Sequence, residues 1–207
     1  MNEIKLKKFM EVKGIQDDEV FKEDVTKADG LVIPPKTKLV ILNSLTSAKE
    51  PFIPEGVKYV YLNGLPSAAG LELPEGIEFL SLNGLTSAKN LFLPNDVQNV
   101  CLDGLTSAQD LVLPKSITSV SLDGLTSAEG LKLPEGIKNL FLNGLPSAEG
   151  LDKLPATIES LYLGGLTSVA GLDKLPDGVD LHIPPQLSEE YQSLQHDLEF
   201  TSGGSHR

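Results

Sequence analysis

The chain has 207 residues, a formal net charge of −12, one cysteine and no tryptophan. The excess of carboxylates argues against a nucleic-acid partner, which requires clustered Lys and Arg, and against adsorption to anionic membranes. With Cys101 alone, an internal disulfide and a cysteine-based zinc cluster are excluded, and no metal or cofactor is expected.

Residues 1–30 are charged and unrepeated. The first 14 carry basic residues but no continuous apolar core and no small-residue cleavage site, so no cleavable signal peptide is expected. No stretch is long enough to span a bilayer, and the expected location is cytoplasmic or reached by a non-classical export route. Apolar residues at Ile4, Leu6, Phe9, Met10, Val12, Ile15, Val20, Phe21 and Val25 predict one or two short amphipathic helices. Asp17-Asp18-Glu19 reads as an acidic helix start, with Gly14 and Gly30 as stops. The whole segment is expected to be an N-terminal helical cap.

From Leu31 to Gly150 one 20-residue unit runs six times without a gap. A seventh copy, Leu151 to Gly171, carries one extra residue, and a partial eighth starts at Leu172 and fades near Pro185. A fixed short period marks a solenoid, in which each unit buries its apolar edge against the next. The copy from Leu71 to Asn90 contains two Leu-x-Leu triplets, Leu71-Glu72-Leu73 and Leu80-Ser81-Leu82. Alternation puts both leucines on one face and the middle residue on the other. Pro74 ends the first triplet, and Asn83-Gly84 ends the second, where positive φ is expected. Ile77, Leu85 and Ala88 complete the inward set, so each coil has two extended sides and no room for a long helix on its back.

The expected fold is therefore a mainly β repeat solenoid with one parallel sheet, a non-helical convex side and short helical caps. The array is assigned to residues 31–185. Residues 186–200, with a helix begun at Ser188, are expected to close the far end, and residues 201–207 to form a flexible tail.

Leu133-Pro134 followed by Ile137-Lys138-Asn139-Leu140-Phe141-Leu142 resembles the leucine-rich repeat. The short period and the Leu-Pro are similar to the bacterial subclass of secreted effectors, and the Leu-x-Leu-Pro-x-Gly-Ile wording is similar to BspA-like repeats. In that family an asparagine normally follows the last leucine by three residues and bonds buried backbone. Here that place holds Leu45, Leu65, Leu85, Leu105, Leu125, Leu145 and Leu166, whereas Asn43, Asn63, Asn83, Asp103, Asp123 and Asn143 come two residues early. Turn-forming residues are expected in place of the asparagine ladder, with Thr46-Ser47 and its copies supplying hydrogen bonds at that corner.

Little in the chain points to catalysis. Cys101-Leu102-Asp103 is similar to the Cys-x-Asp motif of ubiquitin ligases carried by some bacterial leucine-rich-repeat effectors, but it fills an ordinary variable repeat position. His182 lies four rungs away, roughly 19 Å at about 4.8 Å per rung, too far to serve as its base. Asp103 and Asp123 sit at adjacent corners, yet two carboxylates fall short of the oxygens calcium prefers. An enzyme is not expected.

The variable outward positions carry more information. They place Leu39, Ile41, Tyr59, Tyr61 and Phe79 side by side outside the leucine core. Such a cluster is either covered by the N-terminal segment or forms a surface for a partner protein, and the latter is the candidate site. The expected function is a non-enzymatic protein-recognition scaffold acting through its strand face, with a bacterial host-interaction role implied by the resemblance. The alternatives are a structural segment of a larger surface protein and a carbohydrate-binding solenoid.

Overall fold

A computed structural model describes residues 3–48 and 53–202. Nine parallel strands form one sheet in chain order. They are β1 (Val20–Lys22), β2 (Leu39–Ile41), β3 (Tyr59–Tyr61), β4 (Phe79–Ser81), β5 (Asn99–Cys101), β6 (Ser119–Ser121), β7 (Asn139–Phe141), β8 (Ser160–Tyr162) and β9 (Asp180–His182). The register never slips: Tyr59 aligns with Phe79, Phe79 with Asn99 and Asn99 with Ser119, so each column holds equivalent residues of successive copies. The solenoid and its parallel sheet are thus as expected.

Each strand is confined to three residues by what flanks it. Upstream, the Pro-x-x-Ile or Pro-x-x-Val segment closes a turn, in which the Ile117 and Ile137 N–H groups donate to Pro114 and Pro134 carbonyls at 3.2 Å. Downstream, Leu85 N–H returns to Leu82 O at 3.1 Å, and Leu91 N–H to Ala88 O at 3.0 Å. The first Leu-x-Leu triplet, Leu71-Glu72-Leu73, lies outside any strand. Only one of the two expected extended sides is therefore a sheet. Inside, Ile77, Leu80, Leu82 and Leu85 are wholly removed from water, as are Val97, Leu102 and Leu105 one rung on. Each such side chain contributes about 2 kcal/mol of burial, but only if a neighbouring rung covers it.

The Asn-Gly and Asp-Gly corners use glycine for a different reason than expected. None of Gly64, Gly84, Gly104, Gly124 and Gly144 has positive φ. A Cβ on Gly104 would lie 2.3 Å from Asn83 O and 2.6 Å from Leu85 O, so the rung below admits no side chain at all. Left-handed backbone occurs instead where the copies carry Gly70, Asn90, Asp110, Gly130 or Gly150. These are residue types that tolerate it.

The N-terminal segment divides in two. Helix α1 (Glu3–Lys13) ends at Gly14, whose φ is +65°, and Ile15 N–H then caps Met10 O at 2.9 Å. Residues 17–30 form a rung of the solenoid, so of the one or two helices that the apolar spacing allows only α1 is present in this segment. Asp17–Glu19 makes only a 3-10 turn, β1 pairs with β2, and Lys27 bridges Ser47. Val25-Thr26-Lys27-Ala28-Asp29-Gly30 matches Leu125-Thr126-Ser127-Ala128-Glu129-Gly130 in type at every position but Lys27, which makes this rung a degenerate first copy. Its inward residues need a second strand to cover them, and β2 satisfies that need better than an isolated helix would. At the other end, helix α2 (Ser188–Ser202) runs two residues beyond the expected cap boundary. Leu187, Tyr191 and Leu194 pack against the end of the core. Residues 203–207 of the expected tail lie outside the described residues.

The glycine corners provide a direct test. Gly104→Ala forces backbone apart and should destabilise the fold by about 1–3 kcal/mol. Asn90→Gly, at a left-handed corner, should change stability by less than about 0.5 kcal/mol. Chemical denaturation of the two variants checks the contrast.

Candidate functional site

The outward face of the sheet presents two columns of side chains, one from the first and one from the third residue of each strand. The first reads Val20, Leu39, Tyr59, Phe79, Asn99, Ser119, Asn139, Ser160, Asp180; the second reads Lys22, Ile41, Tyr61, Ser81, Cys101, Ser121, Phe141, Tyr162, His182. Their chemistry changes along the stack from aliphatic and aromatic, through small and polar, to aromatic again.

The apolar end is covered. Helix α1 lies across the first rungs, and Leu6, Phe9 and Met10, spaced to share one helical face, join Ile15 against Leu39, Ile41, Tyr59, Tyr61 and Phe79. The Phe9 ring meets Tyr59 edge-on at 5.1 Å and Tyr61 at 6.4 Å, while Tyr61 leans on Phe79 at 5.0 Å. Lys13 Nζ stands 5.5 Å over the Tyr59 ring. Leu39 is fully buried, and Tyr59 retains 9% exposure. Burial pushes the Tyr61 hydroxyl up to about 12, with nearby Cys101 adding to the effect. Burial also raises Tyr59, whose hydroxyl points at the Glu78 carboxylate 3.4 Å away. Of the five residues expected to form a water-facing patch, Leu39, Ile41 and Tyr59 are therefore buried in a second apolar core beneath α1, and Tyr61 and Phe79 pack against it partly buried. Leaving this much aliphatic and aromatic surface in water is unfavourable, and an amphipathic helix three residues upstream of the first turn is within reach of it.

Beyond Phe79 the face is open. Asn99, Cys101, Ser119, Ser121, Asn139, Phe141, Ser160 and Tyr162 are all partly exposed, and Asp180 and His182 are exposed. At the far end three rings stack along the sheet. Phe141 and Tyr162 are 4.3 Å apart with 11° between their planes, and Tyr162 and His182 are 4.1 Å apart with 1° between them. The constant register places these rings at the rung spacing, which matches an aromatic stacking distance. The sequence signal for this stack is three successive ring-bearing residues at one repeat position, a signal masked by the more apolar side chains of the early rungs. His182 Nε2 lies 3.1 Å from Asp180 Oδ2.

One edge of this face is a continuous asparagine and aspartate ladder, contrary to expectation. The Oδ1 atoms of Asn43, Asn63, Asn83, Asp103, Asp123 and Asn143 accept the N–H of the equivalent residue in the next rung. The distances are 3.1, 2.9, 3.1, 3.2, 2.9 and 2.7 Å, the last from Gly164. The residue right after the final leucine sits one rung height from its copy, so its short side chain spans the gap. Ser81 and Ser121 hydroxyls donate to the Asn63 and Asp103 side chains, and Asn83 Nδ2 donates to Asp103 Oδ2 at 2.8 Å. The Asp103 and Asp123 carboxylates are thus engaged with donors of the ladder, and among the described residues no cluster of three or more metal-ligating side chains occurs. The Thr-Ser corner contributes as expected: Ser87 and Ser107 hydroxyls accept the N–H two residues on at 3.2 Å, and Thr46 Oγ1 donates to Thr26 O at 3.1 Å.

The Cys101 thiol is pushed up to about 11, first by burial and then by the Asp103 and Asp123 carboxylates. This is the reverse of what an activated nucleophile requires. His182 stands four strands away, as its repeat position demands. On the back of the solenoid, Phe92 and Val112 project into solvent at 78% and 74% exposure. No helix among the described residues is long and apolar enough to cross a membrane.

Comparison with protein-family models, with curated proteins and with solved structures finds no match.

Because α1 packs on the buried Tyr59 and the partly buried Tyr61, both contribute to the fold. The double change Tyr59→Ala and Tyr61→Ala should lower stability by about 3 kcal/mol or more and release α1. Thermal melts and amide exchange of residues 3–13 measure both effects. Unchanged values would mean that α1 does not hold this position.

Proposed function

We propose that the protein is a recognition scaffold that binds a partner protein through the stretch of strand face that α1 leaves open, from β5 to β9. The observation that carries this reading is the half-exposed ring stack of Phe141, Tyr162 and His182, set beside the column Asn99, Ser119, Asn139, Ser160 and Asp180. Rings fixed by stacking lose little freedom on binding, and amide and hydroxyl groups beside them supply directional contacts. Tyr and other aromatic anchors dominate the energetics of many such interfaces.

The way the rings stack favours a protein over a sugar. Tyr162 is sandwiched between Phe141 and His182, so the middle of the stack presents a ring edge outward, whereas sugar rings stack on an open aromatic face. The high thiol of Cys101 and its distance in rungs from His182 favour recognition over catalysis. Kinship with bacterial leucine-rich repeats, and a host-interaction role for the bound state, are supported by the Leu-Pro and LxxLxL wording of the repeats alone.

Copies of this same chain carry serine where Phe141 and Tyr162 stand, at Ser81 and Ser121, so the fold accommodates that residue there. Phe141→Ser with Tyr162→Ser should leave the circular dichroism spectrum unchanged and shift the melt only slightly. It should also remove the proteins captured by the wild-type chain from a lysate, as read by mass spectrometry. An anchor of this kind is worth about 2 kcal/mol, roughly a thirtyfold change in affinity. A folded double variant that retains every captured protein would place the binding surface elsewhere.

A further inference from the structure

We propose that the free edge of β9 docks an extended segment of a partner protein as one more parallel strand, and that the segment it fits reads cation, aliphatic, aromatic. This site is the end of the sheet: it shares Asp180 and His182 with the proposed binding face, but its main-chain contacts to Leu181 lie on the edge and do not require a partner on that face. β9 is the last strand. Its pairing to β8 uses Asp180 and His182: Asp180 N–H donates to Glu159 O, and Leu163 N–H donates to His182 O, both at 2.8 Å. Parallel pairing alternates sides, so the N–H and C=O of Leu181 point away from β8. In every earlier strand the corresponding central residue pairs with the next rung; at β9 no further strand is present among the described residues to receive it. An unpaired strand edge of this kind is a template for strand addition.

The constant register dictates what such a strand would meet. Its first residue aligns with Asp180, its second with Leu181 and its third with His182, as Ser160, Leu161 and Tyr162 align in β8. The third position continues the stack of Phe141, Tyr162 and His182, whose rings repeat at 4.3 and 4.1 Å, so an aromatic side chain there lies on the outer face of the His182 ring. The first position faces the Asp180 carboxylate, which is 70% exposed with His182 Nε2 beside it, and favours Lys or Arg. The second turns inward beside Leu181, toward a notch between the last rung and α2 that Asp173, Asp177 and Gln195 line together with Val179, Leu181 and Tyr191, and Leu181 itself gives an aliphatic side chain its contact there. The chain's net charge of −12 adds a long-range preference for a cationic segment.

A second copy fits poorly. Pairing through its β1 would set Val20 opposite Asp180 and Lys22 against the His182 ring, losing both the charge pair and the stack. The preferred occupant is therefore a foreign strand.

The test uses fluorescent seven-residue peptides with a central Arg-Val-Tyr and Gly-Ser flanks, titrated into the full chain. Binding should be saturable by anisotropy and should shift the Leu181 amide in NMR spectra. N-methylation of the tyrosine, which removes the donor to Leu181 O, should abolish it. The exposed change His182→Ala should weaken binding about tenfold. Asp180→Lys should reverse the preference toward Glu-Val-Tyr. Absence of binding at millimolar peptide, equal binding of the N-methylated or scrambled peptide, or an unchanged preference in Asp180→Lys would each overturn the proposal. So would concentration-dependent self-association of the chain through β9, seen by sedimentation and removed by Asp180→Lys.

Discussion

Successive rungs of this solenoid approach so closely at one corner that no side chain fits between the glycine of one and the main chain of the rung below, and the rest of the structure depends on that contact. At Gly84, Gly104 and Gly124 an added Cβ would sit within 2.1–2.3 Å of the carbonyl oxygen one rung below. Immediately beside each glycine, the Asn83, Asp103 or Asp123 side chain reaches to the next rung and accepts its main-chain N–H. Steric exclusion and hydrogen bonding thus act at neighbouring positions and have the same consequence. A rung displaced by one residue would meet a Cβ where it needs space, and a leucine where it needs an oxygen. The apolar columns contribute most of the burial free energy and oppose the same slip, since a shift of one residue would turn Leu80 and Leu82 to the outer face.

Fixed register turns the outward positions into columns, and the columns determine what the face does. Where the third strand residue bears a ring in consecutive copies, the rings stack at the rung spacing, as in Phe141, Tyr162 and His182. Where the columns are aliphatic and aromatic near the first rungs, the chain covers them with its own helix through Leu6, Phe9 and Met10. The same face is consequently core at one end and surface at the other. The transition falls at the small residues Ser81, Cys101 and Ser121, where α1 has nothing further to pack against.

The repeat, the parallel sheet and the inward leucines were legible because period and alternation report directly on stacking. The asparagine and aspartate ladder was not. Judged by the spacing usual for leucine-rich repeats, Asn83 and Asp103 come two residues early, and only the rung-to-rung distance shows that an early side chain still spans the gap. The first rung was hidden by a one-residue deletion, since β1 precedes β2 by 19 residues while Ala28 precedes Ala48 by 20, and by Val25 standing where later copies have leucine. The fate of Tyr59 and Tyr61 was open in the sequence, because periodicity places a side chain on a face without saying what covers that face. The covering helix was legible in Leu6, Phe9 and Met10 as an amphipathic segment, but its docking surface is a tertiary fact.

Native-state amide hydrogen exchange tests most directly the claim that the corner ladder fixes the stack. The amides of Asn63, Asn83, Asp103, Asp123, Asn143 and Gly164 each donate to a side chain one rung away. If the ladder is integral to the fold, these six exchange only through global unfolding, with one common free energy shared with the sheet amides. Ladder amides that exchange at the rate of an open loop, while the amides of Leu80, Val100 and Val120 stay protected, would contradict the account.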